Sequence, residues 1–107
     1  RIPEKESKSK LVYDKLIIDA RIRKVFIDGE SRELTYKEFD TLYFLAKNYA
    51  QVFSREKILN EVWGFDYMGN SRAVDILIKR LRSKISPCET YISTVYGIGY
   101  KFEVSKI

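Results

Sequence analysis

The chain has 107 residues, a formal net charge of +5, a pI near 9.3, 45% hydrophobic residues, one Cys and no His. One domain of this size buries roughly two-thirds of its unfolded surface without staples; lone Cys88 excludes an internal disulfide or a Cys-rich metal site and fits a reducing compartment, and the missing His removes the commonest general base and zinc ligand. With no run near the ~20 apolar residues of a membrane span and no signal-peptide pattern, a soluble cytoplasmic chain with no metal or cofactor is expected, its basic balance suited to polyanions, nucleic acid first.

Residues 1–10, RIPEKESKSK, are polar and aperiodic with mixed charges, and read as an interdomain linker ahead of a domain over 11–107. Between 11 and 34 the chain carries short β-rich pieces. Stretches 16–19 and 25–28 are followed by an Asp28-Gly29 turn signal that returns the chain to 32–34, which predicts a small antiparallel sheet beneath helices. Thr35 and Glu38 have the spacing of a capping box, with Leu34 and Phe39 as its hydrophobic staple. Phe39, Leu42, Tyr43, Ala46 and Tyr49 then recur at helical spacing, predicting a helix to about Asn48 with that stripe in the core.

After a turn at 50–53, Ser54 is a good N-cap for a second helix over 55–63, with Ile58, Leu59, Val62 and Trp63 on one side and Gly64 ending it. Arg55 and Lys57 oppose the dipole of its first turn. A nearby phosphate would recover that cost, which is below about 1 kcal/mol, and ordinary exposed side chains explain the pair equally well. The next connection, Phe65-Asp66-Tyr67-Met68-Gly69, is rich in apolar groups. It either folds back on the domain, the commoner case for a short loop, or offers a sticky surface to a partner.

The third predicted helix, 71–85, reads SRAVDILIKRLRSKI, capped by Asn70 or Ser71. Val74, Ile78, Leu81 and Ile85 form one apolar stripe, and the opposite face collects Arg72, Ile76, Lys79, Arg80 and Ser83, with Arg82 and Lys84 at its flanks. Five basic residues against Asp75 give the segment a net +4, most of the chain's +5. This is the shape and charge that the DNA major groove accepts. A solvated face, a membrane surface or a partner protein also suits a basic amphipathic helix. Against plain solvation stands Ile76, which gains nothing from water on a polar face and suits a thymine methyl.

Ser86-Pro87 ends the helix. Strands at 91–96 and 100–104 flank a Gly97-Ile98-Gly99 turn, with Tyr100, Phe102 and Val104 inward and Lys101 and Glu103 outward, giving a slender, wing-like hairpin.

Four stretches, LTYKEFDTLYFLAKN at 34–48, VFSREKILNEVWG at 52–64, RAVDILIKRLRSKI at 72–85 and TVYGIGYKF at 94–102, follow in an order that resembles a winged helix-turn-helix. The resemblance, over about 16–104, is to the C-terminal DNA-binding domain of OmpR/PhoB-class two-component response regulators. It implies an α+β fold: an N-terminal antiparallel sheet of four strands, three helices and a C-terminal β-hairpin wing.

The function it implies is sequence-specific binding of double-stranded DNA in transcription regulation, as the effector of a phosphorelay, with no catalytic activity. In that family the third helix enters the major groove, the wing at 94–102 meets the minor groove or backbone, and the loop between helices two and three meets RNA polymerase. Carried over by position, Arg72, Ile76 and Arg80 are base contacts; Trp63, Lys79, Arg82, Lys84 and Thr94 are backbone contacts; Tyr96 and Lys101 belong to the wing; and Phe65, Asp66, Tyr67 and Met68 form the polymerase loop. Further partners implied are an N-terminal receiver domain and a second copy, paired in tandem on direct-repeat half-sites.

Two departures stand out. Tyr96 replaces the usual wing Arg, so Lys101 would supply the charge or Tyr96 would pack on a sugar. Ala73 and Leu77 stand where Thr and His are frequent, leaving specificity to Arg80, Ile76 and DNA shape. The alternative is a winged-helix protein-interaction module with only non-specific DNA affinity. An enzyme has little support, since acidic residues are scattered and no base neighbours Cys88 in sequence.

Overall fold

Cross-strand pairs of branched residues set the first layer of the fold. In the structure, a computed structural model that describes residues 10–104, strands β1 (Lys10–Tyr13), β2 (Leu16–Asp19), β3 (Lys24–Ile27) and β4 (Glu30–Arg32) form an antiparallel sheet in that order. Leu16 sits opposite Ile27 and Ile18 opposite Val25, so all four bury the same face. Lys10 lies in β1, so the sheet begins inside the stretch read as linker; residues 1–9 of that stretch lie outside the described residues. β4 comes two residues earlier than predicted. Asp28 and Gly29 both have positive φ, 52° and 82°, which makes a two-residue turn after which pairing resumes at once with Ile27 opposite Glu30.

Helix α1 (Tyr36–Lys47) starts on the predicted capping box: the Glu38 N–H donates to Thr35 Oγ1 at 3.2 Å and the Thr35 N–H to Glu38 Oε1 at 2.9 Å. Phe39, Leu42, Leu45 and Ala46 are buried. Tyr49 is not on that stripe. It lies beyond the helix, stacks on Tyr13 at 5.2 Å and accepts from the Val104 N–H at 3.0 Å, tying β1 to residue 104.

The turn expected at 50–53 hides a short strand, β5 (Phe53–Ser54). It pairs with β7 (Gly99–Phe102), which pairs in turn with β6 (Ile92–Val95), giving a second sheet in the order β5-β7-β6. Both hairpin strands are shorter than read from the sequence, because a 3-10 turn at Glu89–Tyr91 takes Tyr91 and pairing ends at Phe102. Gly99 is required here, since a Cβ would collide with the Phe53 carbonyl.

Helix α2 (Arg55–Val62) is capped by Ser54 Oγ, which accepts from the Lys57 N–H at 3.0 Å; Trp63 is its C-cap, and Gly64, at φ 102°, follows. Helix α3 (Arg72–Lys84) is capped by Asn70, whose Oδ1 accepts from the Arg72 N–H at 2.9 Å, while Ser71 is itself helical. The stripe Val74, Ile78, Leu81 and Ile85 is fully buried, in the core cluster that also holds Phe39 and Leu42 of α1, Ile58 and Phe102. Arg32 Nη1 closes the other end of α3 on the carbonyls of Lys84 (2.9 Å) and Ser86 (2.7 Å), a cation placed where the helix dipole favours one. Among the described residues no helix is long and apolar enough to cross a membrane.

Candidate nucleic-acid interface

Burying one stripe of α3 leaves the opposite face outward. Arg72, Ile76, Lys79, Arg80 and Ser83 are all exposed, Ile76 by 52%. Among the described residues the charged groups of Arg72, Lys79 and Arg80 have no ion-pair partner. Leu77 differs from expectation. It is 8% exposed and belongs to the core, so no hydrogen-bonding capacity is missing from the outer face at that position.

The flanking cations are engaged inside the molecule. Arg82 donates from Nε to the Ile92 carbonyl at 3.0 Å and from Nη2 to Thr94 Oγ1 at 2.9 Å, with its guanidinium 5.6 Å from the Tyr100 ring. Lys84 Nζ lies 2.8 Å from Glu38 Oε1. Both were expected to meet phosphates; within the chain Arg82 holds strand β6, and Lys84 joins α3 to α1. Arg55 has a partner too, Asp75, at 2.7 Å, and Lys57 pairs with Glu61 at 3.2 Å.

Asp75, the one acid on α3, joins three elements. Its second oxygen accepts from the Tyr100 hydroxyl at 2.6 Å, so α2, α3 and β7 meet on one carboxylate. Burial and this hydrogen bond push the Tyr100 hydroxyl up to about 12. Asp75 and Arg82, seven residues and two turns apart, therefore index the hairpin to the helix.

At the tip of that hairpin Tyr96 and Ile98 are exposed on either side of Gly97, whose φ is 80°. Lys101 is not at the tip; its Nζ lies 3.0 Å from Glu103 Oε1 on the outer side of the strand. Thr94 is half-buried beneath Arg82. Trp63 is half-buried as well, packed on the core with Tyr67 6.0 Å away. The loop divides the two expectations made for it: Tyr67 turns back toward Trp63, while Asp66, Phe65 (86% exposed) and Met68 (95%) stand in solvent.

Sequence reading passed over two residues near this face. Tyr36 and Lys37, in the first turn of α1, border α3 across a cleft that Trp63 and Arg80 also line. Their one local signal is their place after the capping Thr35; nothing in the spacing reveals that α1 begins beside the middle of α3.

Residues 29–102 match the family model described as "Transcriptional regulatory protein, C terminal". The chain is 50% identical over 88 residues to the uncharacterized transcriptional regulatory protein YclJ of Bacillus subtilis, covering 80% of this chain and 39% of that protein. It is 47% identical over 102 residues to the transcriptional regulatory protein ResD of the same organism, covering 92% and 42%. The chain thus spans well under half the length of these curated relatives. Among solved structures, response regulator DrrB of Thermotoga maritima, described as an OmpR/PhoB homolog, superposes with a TM-score of 0.82 at 39% identity over 94% of this chain and 46% of that one. The DNA-binding domain of Klebsiella pneumoniae RstA, crystallised with the RstA box, gives 0.80 at 34% identity over 90% and 98%. With its two sheets, three helices and Gly-tipped hairpin in the same order, the chain belongs to the OmpR/PhoB family of transcriptional regulatory proteins, as their C-terminal winged helix-turn-helix domain.

Proposed function

We propose that this domain binds double-stranded DNA sequence-specifically, as the effector part of a bacterial response regulator, with α3 in the major groove and the β6–β7 wing at the minor groove or backbone. The observation that carries the reading is the outward row Arg72, Ile76, Lys79, Arg80 and Ser83, which is exposed and whose three cations have no ion-pair partner among the described residues. Arg72 and Arg80 have the donor geometry for guanine edges and Ile76 the surface for a thymine methyl. Lys79 meets phosphate, with Trp63 and Thr94 against the backbone. Arg82 and Lys84 serve by holding the wing and helix in place. The wing tip is apolar, so Tyr96 packs on a sugar and reads groove width by shape rather than by inserting a charge.

The exposed Phe65 and Met68, beside Asp66, suit RNA polymerase. Pairing of two copies on direct repeats, an N-terminal receiver domain controlling that pairing, a cytoplasmic setting and the absence of catalysis complete the proposal; the relatives' names as transcriptional regulatory proteins support it.

DNA selection from a random library with the purified domain, followed by titration of wild type and Arg80→Ala, tests it. A recurring motif bound about a hundredfold over random duplex is expected, with preference at one base pair relaxed by about 1–3 kcal/mol in the variant. If neither protein distinguishes one duplex from another, the domain is a protein-interaction module instead.

A further inference from the structure

A major groove about 12 Å wide is bordered by a sugar-phosphate strand on each side. A helix lying in it therefore has two flanks to satisfy. On α3 one flank carries Asp75 and Arg82, held to Tyr100 and Thr94, and so lies beside the wing. The other carries Ala73, Leu77 and Arg80 and faces the first turn of α1 across a cleft of about 520 Å3, lined on the far side by Tyr36, Lys37 and Trp63.

No acid within the described residues pairs with the charge on this second flank. Lys37 Nζ rests 5.5 Å from the Trp63 ring and has no ion-pair partner there. Among the residues lining the cleft the one acid is Glu38, which is buried and neutralised by Lys84 at 2.8 Å. Tyr36 is 71% exposed at the rim, its ring braced by the Arg23 guanidinium 4.2 Å away, which is itself held by Asp40 at 2.8 Å. Among the described residues the cleft is thus lined by two cations without an acidic partner, Lys37 and Arg80, together with Trp63 and Leu77. A polyanionic strand fits those charges; an acidic or uncharged occupant of one side only does not.

We infer that Lys37, with Tyr36 beside it, is a second backbone contact, taking a phosphate of the DNA strand that borders the groove on the side away from the wing. The wing and the start of α1 then grip opposite strands, and α3 lies between them. This rests on the DNA-binding reading above.

The test is a salt titration of the selected duplex and of random duplex with wild type, Lys37→Gln and Lys37→Arg, with phosphate-ethylation interference on the selected site. Lys37→Gln keeps the aliphatic stem over Trp63 and removes the charge. Its slope of log affinity against log salt is expected to fall by about 0.9, the value of one released phosphate contact, with both duplexes weakened equally, by about three- to tenfold. Lys37→Arg should keep the wild-type slope. Ethylation on the strand away from the wing should weaken wild type and lose its effect on Lys37→Gln. If wild type binds and Lys37→Gln has an unchanged slope, this inference falls and DNA binding stands. If wild type binds no duplex, both fall.

Discussion

At the scale of single residues, one carboxylate organises the joint between helix and wing. Asp75 accepts from Tyr100 and pairs with Arg55, and both contacts are short. Because the Tyr100 hydroxyl is raised above its ordinary value of 10 to about 12, the folded chain holds that proton more tightly than the unfolded one. The stabilisation is therefore complete below pH 10 and disappears as pH rises through about 12, an effect of at most about 2–3 kcal/mol. Tyr100→Phe keeps the ring and loses the bond. Urea unfolding should show it about 1–2 kcal/mol less stable at pH 7, with a shallower fall between pH 10 and 12 than wild type; a parallel alkaline profile in the two proteins would refute the role given to the Tyr100 hydroxyl. Burial also raises Tyr91, so part of the alkaline loss remains in the variant.

Between elements, Glu38 does for α1 and α3 what Asp75 does for α3 and the wing. Burial by itself pushes its carboxyl up, but the hydrogen bonds from Lys84 and Thr35 and the charge of Lys84 outweigh burial and hold it below the ordinary glutamate value. A depressed folded value means stability that is present above the ordinary value of 4.5 and lost as pH falls through the lower folded one. Glu38→Gln leaves an amide at the cap and no partner charge for Lys84. It should cost about 1–3 kcal/mol at pH 7, and the gap to wild type should narrow below pH 4, read by equilibrium unfolding at both values. Equal stability at pH 7 would mean that the capping box and ion pair contribute nothing net.

For the whole molecule, how many of the basic groups are spent decides the salt response. Six phosphate contacts would cost about a thousandfold in affinity between 50 and 200 mM salt. Arg55, Arg82, Lys84 and Lys101 are instead tied internally, which leaves Lys37, Arg72, Lys79 and Arg80 around α3. With Arg72 and Arg80 on bases, the two phosphate contacts of Lys37 and Lys79 give a slope of about −2 and a loss of about tenfold over that range. Fluorescence-anisotropy titrations of one domain on one half-site should return that value. A slope of about −6 or steeper would show that the paired cations leave their partners when DNA arrives.

Features that depend on neighbours a few positions apart are legible along the chain. The buried stripe Val74, Ile78, Leu81 and Ile85, the Thr35–Glu38 capping box and the outward row from Arg72 to Ser83 all follow from a period of 3.6 residues. The four ordered motif stretches carried the family and its winged fold. The rest depends on contacts made across the fold. Two-residue β5 exists because β7 runs beside it, and β4 begins early because the turn at Asp28 and Gly29 has the left-handed geometry that restarts pairing at once. The fate of each cation depended on partners far along the chain: Asp75 lies 20 residues from Arg55, and Glu38 lies 46 from Lys84. Such distances leave no periodic trace. Charge is legible residue by residue, but whether a charge is free for a ligand depends on which acids the fold brings within about 4 Å.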